Sequence, residues 1–274
     1  LELNEVVVKD GLNGRKVGFN TLNSGVIVTD GAFLSTGDLE VSNIKDLGLV
    51  IDSAYSEHTD VTIADTGWAG VWLQNSPDSI TGRAALRVLG DGSSISRVGG
   101  SGVYMRDSGT IEVENMRIER TRMRPGTAIN GLSMQYFGDG MSISSMSKQI
   151  SLSDVFITGS DRIGLFLDGS GRQPEASFTG VVIEVGEAEE DERMGFVAQN
   201  GAEDGDYGRI AVDPTLEVVD EPIAVEDMFP ITEEVDDVAT VGLIGTNGLV
   251  TGDSPVVGDT GMRGLIGTNG LMLR

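Results

Sequence analysis

Seven short stretches share one pattern of glycine, apolar, any residue, apolar and then usually a polar residue. They read GVIVT at 25–29, GLVID at 48–52, GVWLQ at 70–74, GVYMR at 102–106, GLSMQ at 131–135, GLFLD at 164–168 and GFVAQ at 195–199. The leading glycines are 23, 22, 32, 29, 33 and 31 residues apart. Alternation of this kind is a half-buried strand, with the first and third residues after glycine pointing inward. One strand type returning with glycine in phase is the signature of a repeat architecture.

A second pattern precedes most copies: an alternating strand, then Asn, Asp or Gly, then more alternation. Examples are LEVSNI at 39–44, VTIAD at 61–65, IEVENMRI at 111–118, ISLSDVFI at 150–157 and FTGVVI at 178–183. This places Asn43, Asp65, Asn115, Asp154 and Gly180 at equivalent positions, where a sharp corner needs a left-handed backbone that these residue types tolerate. A unit of 22 residues cannot bury its own apolar face, but units stacked about 4.8 Å apart can. Length beyond that minimum falls between strands, as loops inserted into a minimal coil would.

Over roughly residues 5–200 this pattern resembles the pectate-lyase-like right-handed β-helix superfamily. The resemblance is one of architecture. It implies a stacked Asn ladder at the corner between the second and third strands, which Asn43, Asp65 and Asn115 would form. It also implies that the Gly-led strand is the one carrying ligand and catalytic residues in the superfamily's enzymes. The competing fold is an antiparallel β-sandwich, which also has many short strands, but seven copies of one motif favour the stack. The expected fold is therefore all-β, a single-stranded right-handed parallel β-helix of about seven coils at 1–202. An acidic strap or linker at 203–240 and a Gly-rich tail at 241–274 follow.

Composition agrees. The chain has 39 Gly, few aromatics and 39% hydrophobic residues, so branched aliphatics must fill the core. Formal net charge is −24, which opposes binding to a phosphate backbone, so no nucleic-acid partner is expected. Residues 184–237 hold 19 Asp or Glu against Arg193 and Arg209, leaving only −7 for the rest. An acidic stretch is more often a solubility device than a site. Ca²⁺ is the one cation it would draw, with Glu189, Glu190 and Asp191 as weak ligand candidates, and no other cofactor is expected. With no Cys, disulfide and thiolate chemistry are excluded. No run of 18 apolar residues occurs, so no membrane-spanning helix is expected. The chain begins at Leu1 without a basic-then-apolar leader, as expected of a processed or trimmed exported protein.

If the Gly-led strands stack, one column points outward: Ile27, Val50, Trp72, Tyr104, Ser133, Phe166 and Val197. The next outward column reads Thr29, Asp52, Gln74, Arg106, Gln135, Asp168 and Gln199. A stripe of rings bordered by amides and charges suits a sugar chain, whose C–H faces lie on rings while its hydroxyls meet polar groups. The ligand-binding candidates are Asp52, Trp72, Gln74, Tyr104, Arg106, Gln135, Phe166 and Asp168, walled by insertions after Gln74, Asn115 and Gly180. Cover by longer loops or by another subunit is the other reading of such a column.

Catalysis is harder to place. Glycoside hydrolysis needs two carboxyl groups about 5–9.5 Å apart, whereas Asp52 and Asp168 would lie four coils, roughly 19 Å, apart. In an enzyme the candidates are Arg106 and Asp168, although guanidinium is a poor base. Asp107, Asp139 or Asp161 could complete a pair from loops. His58, the one histidine, has Ser56 and Asp60 too close in sequence to read as a triad. GDGSSI at 90–95 lacks the third glycine of a dinucleotide fingerprint.

The tail repeats GLIGTNGL at 242–249 and 264–271, a 22-residue period. It is expected to cap an open sheet edge or to dock another subunit, with Leu243, Ile244, Leu265 and Ile266 as contacts. The expected function is thus a non-catalytic exported scaffold or binding protein, adhesin-like or part of a bacterial surface assembly. Its partners would be a polysaccharide or other protein subunits, with a homo-oligomer or filament formed through the tail. The alternative is a lyase or hydrolase acting on an acidic polysaccharide in the same groove.

Overall fold

The computed structural model describes residues 1–9, 23–29, 31–75, 84–105, 109–122, 128–129, 132–133, 138–144, 149–169, 174–184, 194–199, 202, 207–213, 249–251 and 271–273. Among the described residues the chain is all-β, and no helix is long and apolar enough to cross a membrane. Strand β1 (Glu2–Lys9) precedes a circuit that the chain repeats. It runs first through β2 (Ser24–Thr29) and β3 (Phe33–Ile44), then through β4 (Leu47–Asp52) and β5 (Tyr55–Thr66). Two circuits of three strands follow. They are β6 (Ala69–Gln74), β7 (Ala84–Val88) and β8 (Ser93–Val98), then β9 (Ser101–Met105), β10 (Gly109–Glu114) and β11 (Met116–Thr121).

A small antiparallel pair, β12 (Ala128–Ile129) and β13 (Leu132–Ser133), interrupts the order. The circuit resumes with β14 (Asp139–Ser144), β15 (Gln149–Ser153) and β16 (Phe156–Thr158), then β17 (Ile163–Asp168) and β18 (Ala176–Glu184), then β19 (Met194–Gln199) and β20 (Gly208–Asp213). Near the end of the chain lie β21 (Leu249–Thr251) and β22 (Leu271–Leu273).

Among the described residues every other pairing is parallel, and within the repeated circuits each joins one circuit to the next. The first strands of the circuits form one sheet in the order β19-β17-β14-β9-β6-β4-β2, extended past β2 by β21 and β22. The remaining strands form a second sheet. Its long members β3, β5 and β18 bend and span two neighbouring rows, which are elsewhere separate strands such as β10 and β11.

The core lies between these rows. From the first sheet Val26, Leu49, Val71, Val103, Met141 and Leu165 follow one another in register, all buried. Facing them, Val41, Ile63, Ile95, Ile118, Ile157 and Ile183 form a second buried column. Each such aliphatic contributes about 1.5–3 kcal/mol on burial. Contact between these columns explains the glycine that opens each first strand. A methyl on Gly70 would lie 2.6 Å from the Gly102 carbonyl oxygen and 2.6 Å from Ile95 Cγ2. On Gly102 it would lie 2.5 Å from the Gly140 oxygen and 2.6 Å from Ile118 Cγ2. The glycines form a ladder because neither the next rung nor the facing isoleucine leaves room for Cβ.

That ladder corrects the fifth copy of the motif. The rung between β9 and β17 is β14, so Gly140-Met141-Ser142-Ile143-Ser144 occupies it rather than GLSMQ at 131–135. Leu132 and Ser133 instead pair antiparallel with Ala128 and Ile129. Both stretches alternate equally well, but only Gly140 meets the Gly164 carbonyl and Ile157.

The corners need a second correction. Asn43, Asp65, Asn115, Asp154 and Gly180 all have positive φ, between 51° and 64°, but they belong to two corners. Asn115, Asp154 and Gly180 stack at the bend within the second sheet. Asn43 and Asp65 stack with Arg97, Arg120 and Gly159 where the chain turns back toward the first sheet, and these three are also left-handed. The insertion expected after Asn115 is absent, because β11 starts at Met116. The long excursion instead separates Thr121 from Asp139.

Candidate functional site

The outward side of the first sheet carries the residues that the sequence nominates, and they are in register. Ile27, Val50, Trp72, Tyr104, Ser142, Phe166 and Val197 occupy successive rungs, with Ser142 in the place expected for Ser133. Thr29, Asp52 and Gln74 run alongside, and Ser144, Asp168 and Gln199 continue that row at the other end.

The column is not open to solvent. Trp72 is 1% exposed, Tyr104 3% and Phe166 0%, and Asp52, Gln74 and Asp168 are also buried. The sheet is therefore dry on both sides: of the two readings of this column, the covered one holds and the ring-lined surface facing water does not. The rings satisfy one another. Trp68, in the turn before β6, lies with its ring centroid 4.4 Å from that of Trp72, and Trp72 stacks on Tyr104 at 4.2 Å. Such pairs add about 0.5–1.5 kcal/mol beyond area burial.

The polar groups on this face are tied down across rungs. Trp72 Nε1 donates to Gln74 Oε1 at 3.0 Å, and Gln74 Nε2 donates to Asp52 Oδ2 at 3.0 Å. The Ser53 hydroxyl donates to Asp52 Oδ1 at 3.1 Å. Asp139, fully buried at the start of β14, accepts from Arg162 Nε at 2.7 Å, from Arg162 Nη2 and from the Ser142 hydroxyl at 2.8 Å. A buried carboxylate needs such partners, because desolvating it unpaired costs several kcal/mol.

Asp52 and Asp168 stand four rungs apart, so the structure does not bring them together. Asp139 is held by Arg162, and Asp161 accepts from Arg122 Nη1 at 2.8 Å. Arg106, Gln135 and Asp107 lie outside the described residues, as do Glu189, Glu190 and Asp191 and the tail residues Leu243, Ile244, Leu265 and Ile266. Among the described residues no group of three or more His, Asp or Glu is placed to share a metal ion.

The single histidine is a core residue. The Thr36 hydroxyl sits 2.6 Å from His58 Nδ1 and the Ser56 hydroxyl 2.7 Å from Nε2, all buried. A neutral imidazole offers one donor and one acceptor, and two hydroxyls complement either tautomer. Burial pushes the His58 pKa down to about 4, against a weaker upward pull from Glu57. Asp60 instead accepts from the Gly92 amide at 2.9 Å, which closes the GDGSSI corner.

One open cleft is lined by none of the residues nominated for ligand binding. It measures about 610 Å³ and follows the corner column from Asn43 to Arg120. Among the described residues Lys45, Arg97, Arg120 and Arg122 supply its cations, and Asp65 is the one acid lining it. Arg97 Nε and Nη2 donate to Asp65 Oδ1 and Oδ2 at 2.6 and 2.7 Å. This pairing holds the Asp65 carboxyl below its ordinary pKa and raises that of Arg97. A left-handed backbone costs an ordinary side chain about 1–2 kcal/mol, which Gly avoids and Asn or Asp offsets. Arg97 and Arg120 bear that cost at φ of 55° and 58°. The sequence carried a signal for this site, since Arg97 and Arg120 each follow an alternating strand at the position held by Asn43 and Asp65. Only the register makes it visible.

No family model, curated protein or solved structure matches the chain.

Proposed function

We propose that the chain is a right-handed parallel β-helix, of the architecture found in the pectate-lyase-like superfamily, acting as a non-catalytic scaffold or binding protein. The parallel rungs support this reading, since crossovers between parallel strands in one sheet are right-handed in nearly all known cases. The observation that carries the functional half is the closed outward face of the first sheet. Its rings stack on one another, and its carboxylates are committed to neighbours, Asp52 to Gln74 and Ser53, and Asp139 to Arg162. Groups held in this way stiffen a stack of rungs, whereas turnover needs an acid and a base within reach of substrate. An exported protein of a cell-surface assembly, with other subunits or a polysaccharide as partner, fits this role.

The test is incubation with a panel of acidic polysaccharides, with and without Ca²⁺, assayed for new reducing ends and unsaturated products. Silence in every arm is expected. Product formation that is lost in Asp168→Asn would overturn the scaffold reading in favour of a lyase or hydrolase.

A further inference from the structure

Among the described residues both ends of the stack are unfinished. β1 and β22 terminate the two sheets at one end, and β19 is the last strand of the first sheet at the other, each with one edge unpaired. The core is open there too. Leu3 and Val8 on β1, and Phe196 and Ala198 on β19, continue the buried inward columns but are themselves only part-buried. A free edge backed by apolar side chains is a place where another strand adds.

The tail strands fit one of these ends. β21 pairs with β2, Leu249 opposite Val26 and Val250 opposite Ile27, one rung beyond the first circuit, as β1 is in the second sheet. β22 pairs with β21 in the same way. Val250 and Met272 each follow a GLIGTNGL repeat and stand 22 residues apart, the interval between Gly48 and Gly70 in the body. Each repeat thus has the length of one coil, and either strand can take the β2 edge in the same register. Direction separates them. The first strands of the body step from β2 toward β19, whereas β21 and β22, parallel to them, step the opposite way. A parallel crossover that reverses its step on the same side of a sheet reverses its hand, and right-handed crossovers prevail. A tail wound as the body is wound therefore climbs toward β2, with β22 against it.

We propose that β22 of one copy seats on the β2 edge of a second copy, with Met272 opposite Ile27, so that chains join head to tail. The pairing of β21 with β2 shows that this edge accepts a tail strand, and exchanging such an element between copies makes the same backbone bonds. Residues 214–248 link β20 to β21. Extended, these 35 residues reach about 115 Å, against about 34 Å for the seven spacings from β19 to β21, so length alone permits either partner. Three points favour the second copy. Return along the same chain brings nine acids and no base back past a body, residues 1–213, that carries −15. Closure within one chain leaves β19 and the part-buried Phe196 as an end, whereas a copy stacked there covers them. A tail passed to the next copy also climbs with the body throughout. Such a contact does not close on itself, so it builds a filament. The inference rests on the scaffold reading and names the partner in it. Turnover of a polysaccharide would end that reading and leave the assembly standing, whereas a chain that stays single would end this inference alone.

The experiment follows the full chain by sedimentation over a concentration series. Species larger than one chain should grow with concentration. Val250→Pro with Met272→Pro removes ladder donors from both tail strands and should weaken association at least tenfold, with the melting of the body unchanged. Because the chain has no cysteine, Ile27→Cys and Met272→Cys can be prepared as separate proteins, mixed and treated with a short thiol cross-linker. The mixture should give a two-chain product that neither protein gives alone, and both should melt as the parent does. The inference is overturned if the chain stays single at every concentration or if the double proline variant associates as the parent does. It is also overturned if the mixture gives no two-chain product while one chain carrying Ile27→Cys and Val250→Cys cross-links within itself.

Discussion

Acidification should unfold this protein partly through one residue. His58 sits among core side chains with both ring nitrogens against hydroxyls, and its pKa falls from 6.5 to about 4 on folding. Because the folded value lies below the unfolded one, the unfolded chain takes up the proton first as pH drops. His58 therefore contributes its full stabilisation above about pH 6.5, loses it progressively as pH falls toward 4, and adds no further dependence below that. At 1.36 kcal/mol per pH unit the loss reaches about 3 kcal/mol, a large share of the roughly 5–15 kcal/mol that usually holds a domain together. The assay is urea unfolding at intervals between pH 7 and 4, comparing the parent with His58→Gln. The variant loses packing and is less stable at pH 7, so the informative quantity is the difference between the two profiles. Carboxylates on so acidic a chain also titrate in this window, but they do so in both proteins and cancel. The parent should lose about 3 kcal/mol more than the variant between pH 6.5 and 4. Parallel profiles would refute the assignment of His58 as a buried neutral group.

Other perturbations probe the stack directly. Gly102→Ala forces a methyl to 2.5 Å from the next rung's carbonyl and should cost about 3 kcal/mol or more in thermal or urea unfolding. Gly159→Ala meets nothing nearer than 3.5 Å and should cost only about 1–2 kcal/mol, from its φ of 67°. If the two glycines cost the same, the ladder is not the reason for the motif. Asp139→Asn leaves the Arg162 guanidinium without its counter-charge and should destabilise by about 3 kcal/mol, measured as the shift in urea midpoint; a change under about 1 kcal/mol would mean that the pair is solvated. Trp68 and Trp72 are 3% and 1% exposed, so single-tryptophan variants should each emit at short wavelength and resist acrylamide. Free quenching of Trp72 would show that the outward face is open.

The parts of this fold that can be read from sequence are those set by local chemistry. Alternation gave the strands, and the positive φ at Asn43, Asp65, Asn115, Asp154 and Gly180 follows from what a tight corner asks of its residue. Choosing between GLSMQ and GMSIS for one rung cannot be done locally, since both alternate and both open with glycine. The choice rests on whether that glycine meets Ile157 and the Gly164 carbonyl, a fact about residues distant in sequence. The same holds for assigning Asn43 and Asn115 to different corners, which needs register rather than residue type. On the first sheet, inward and outward positions were legible from the period of two. The burial of Trp72 and Phe166 on the outward side was not, because periodicity says which way a side chain points and nothing of what lies over it. The basic cleft was hidden for a related reason. Its cations come from three of four successive circuits whose spacing varies, so they meet only when the rungs are stacked.

A sheet with both faces dry has a consequence for exchange with solvent. The amides of β4, β6, β9 and β17 are bonded to rungs above and below and screened by side chains on either side. In heavy water they should be the last in the molecule to take up deuterium, outlasting those of β7 and β10, whose outward side chains are only half-buried. The slowest-exchanging segment would then mark the region whose opening requires the whole stack to come apart.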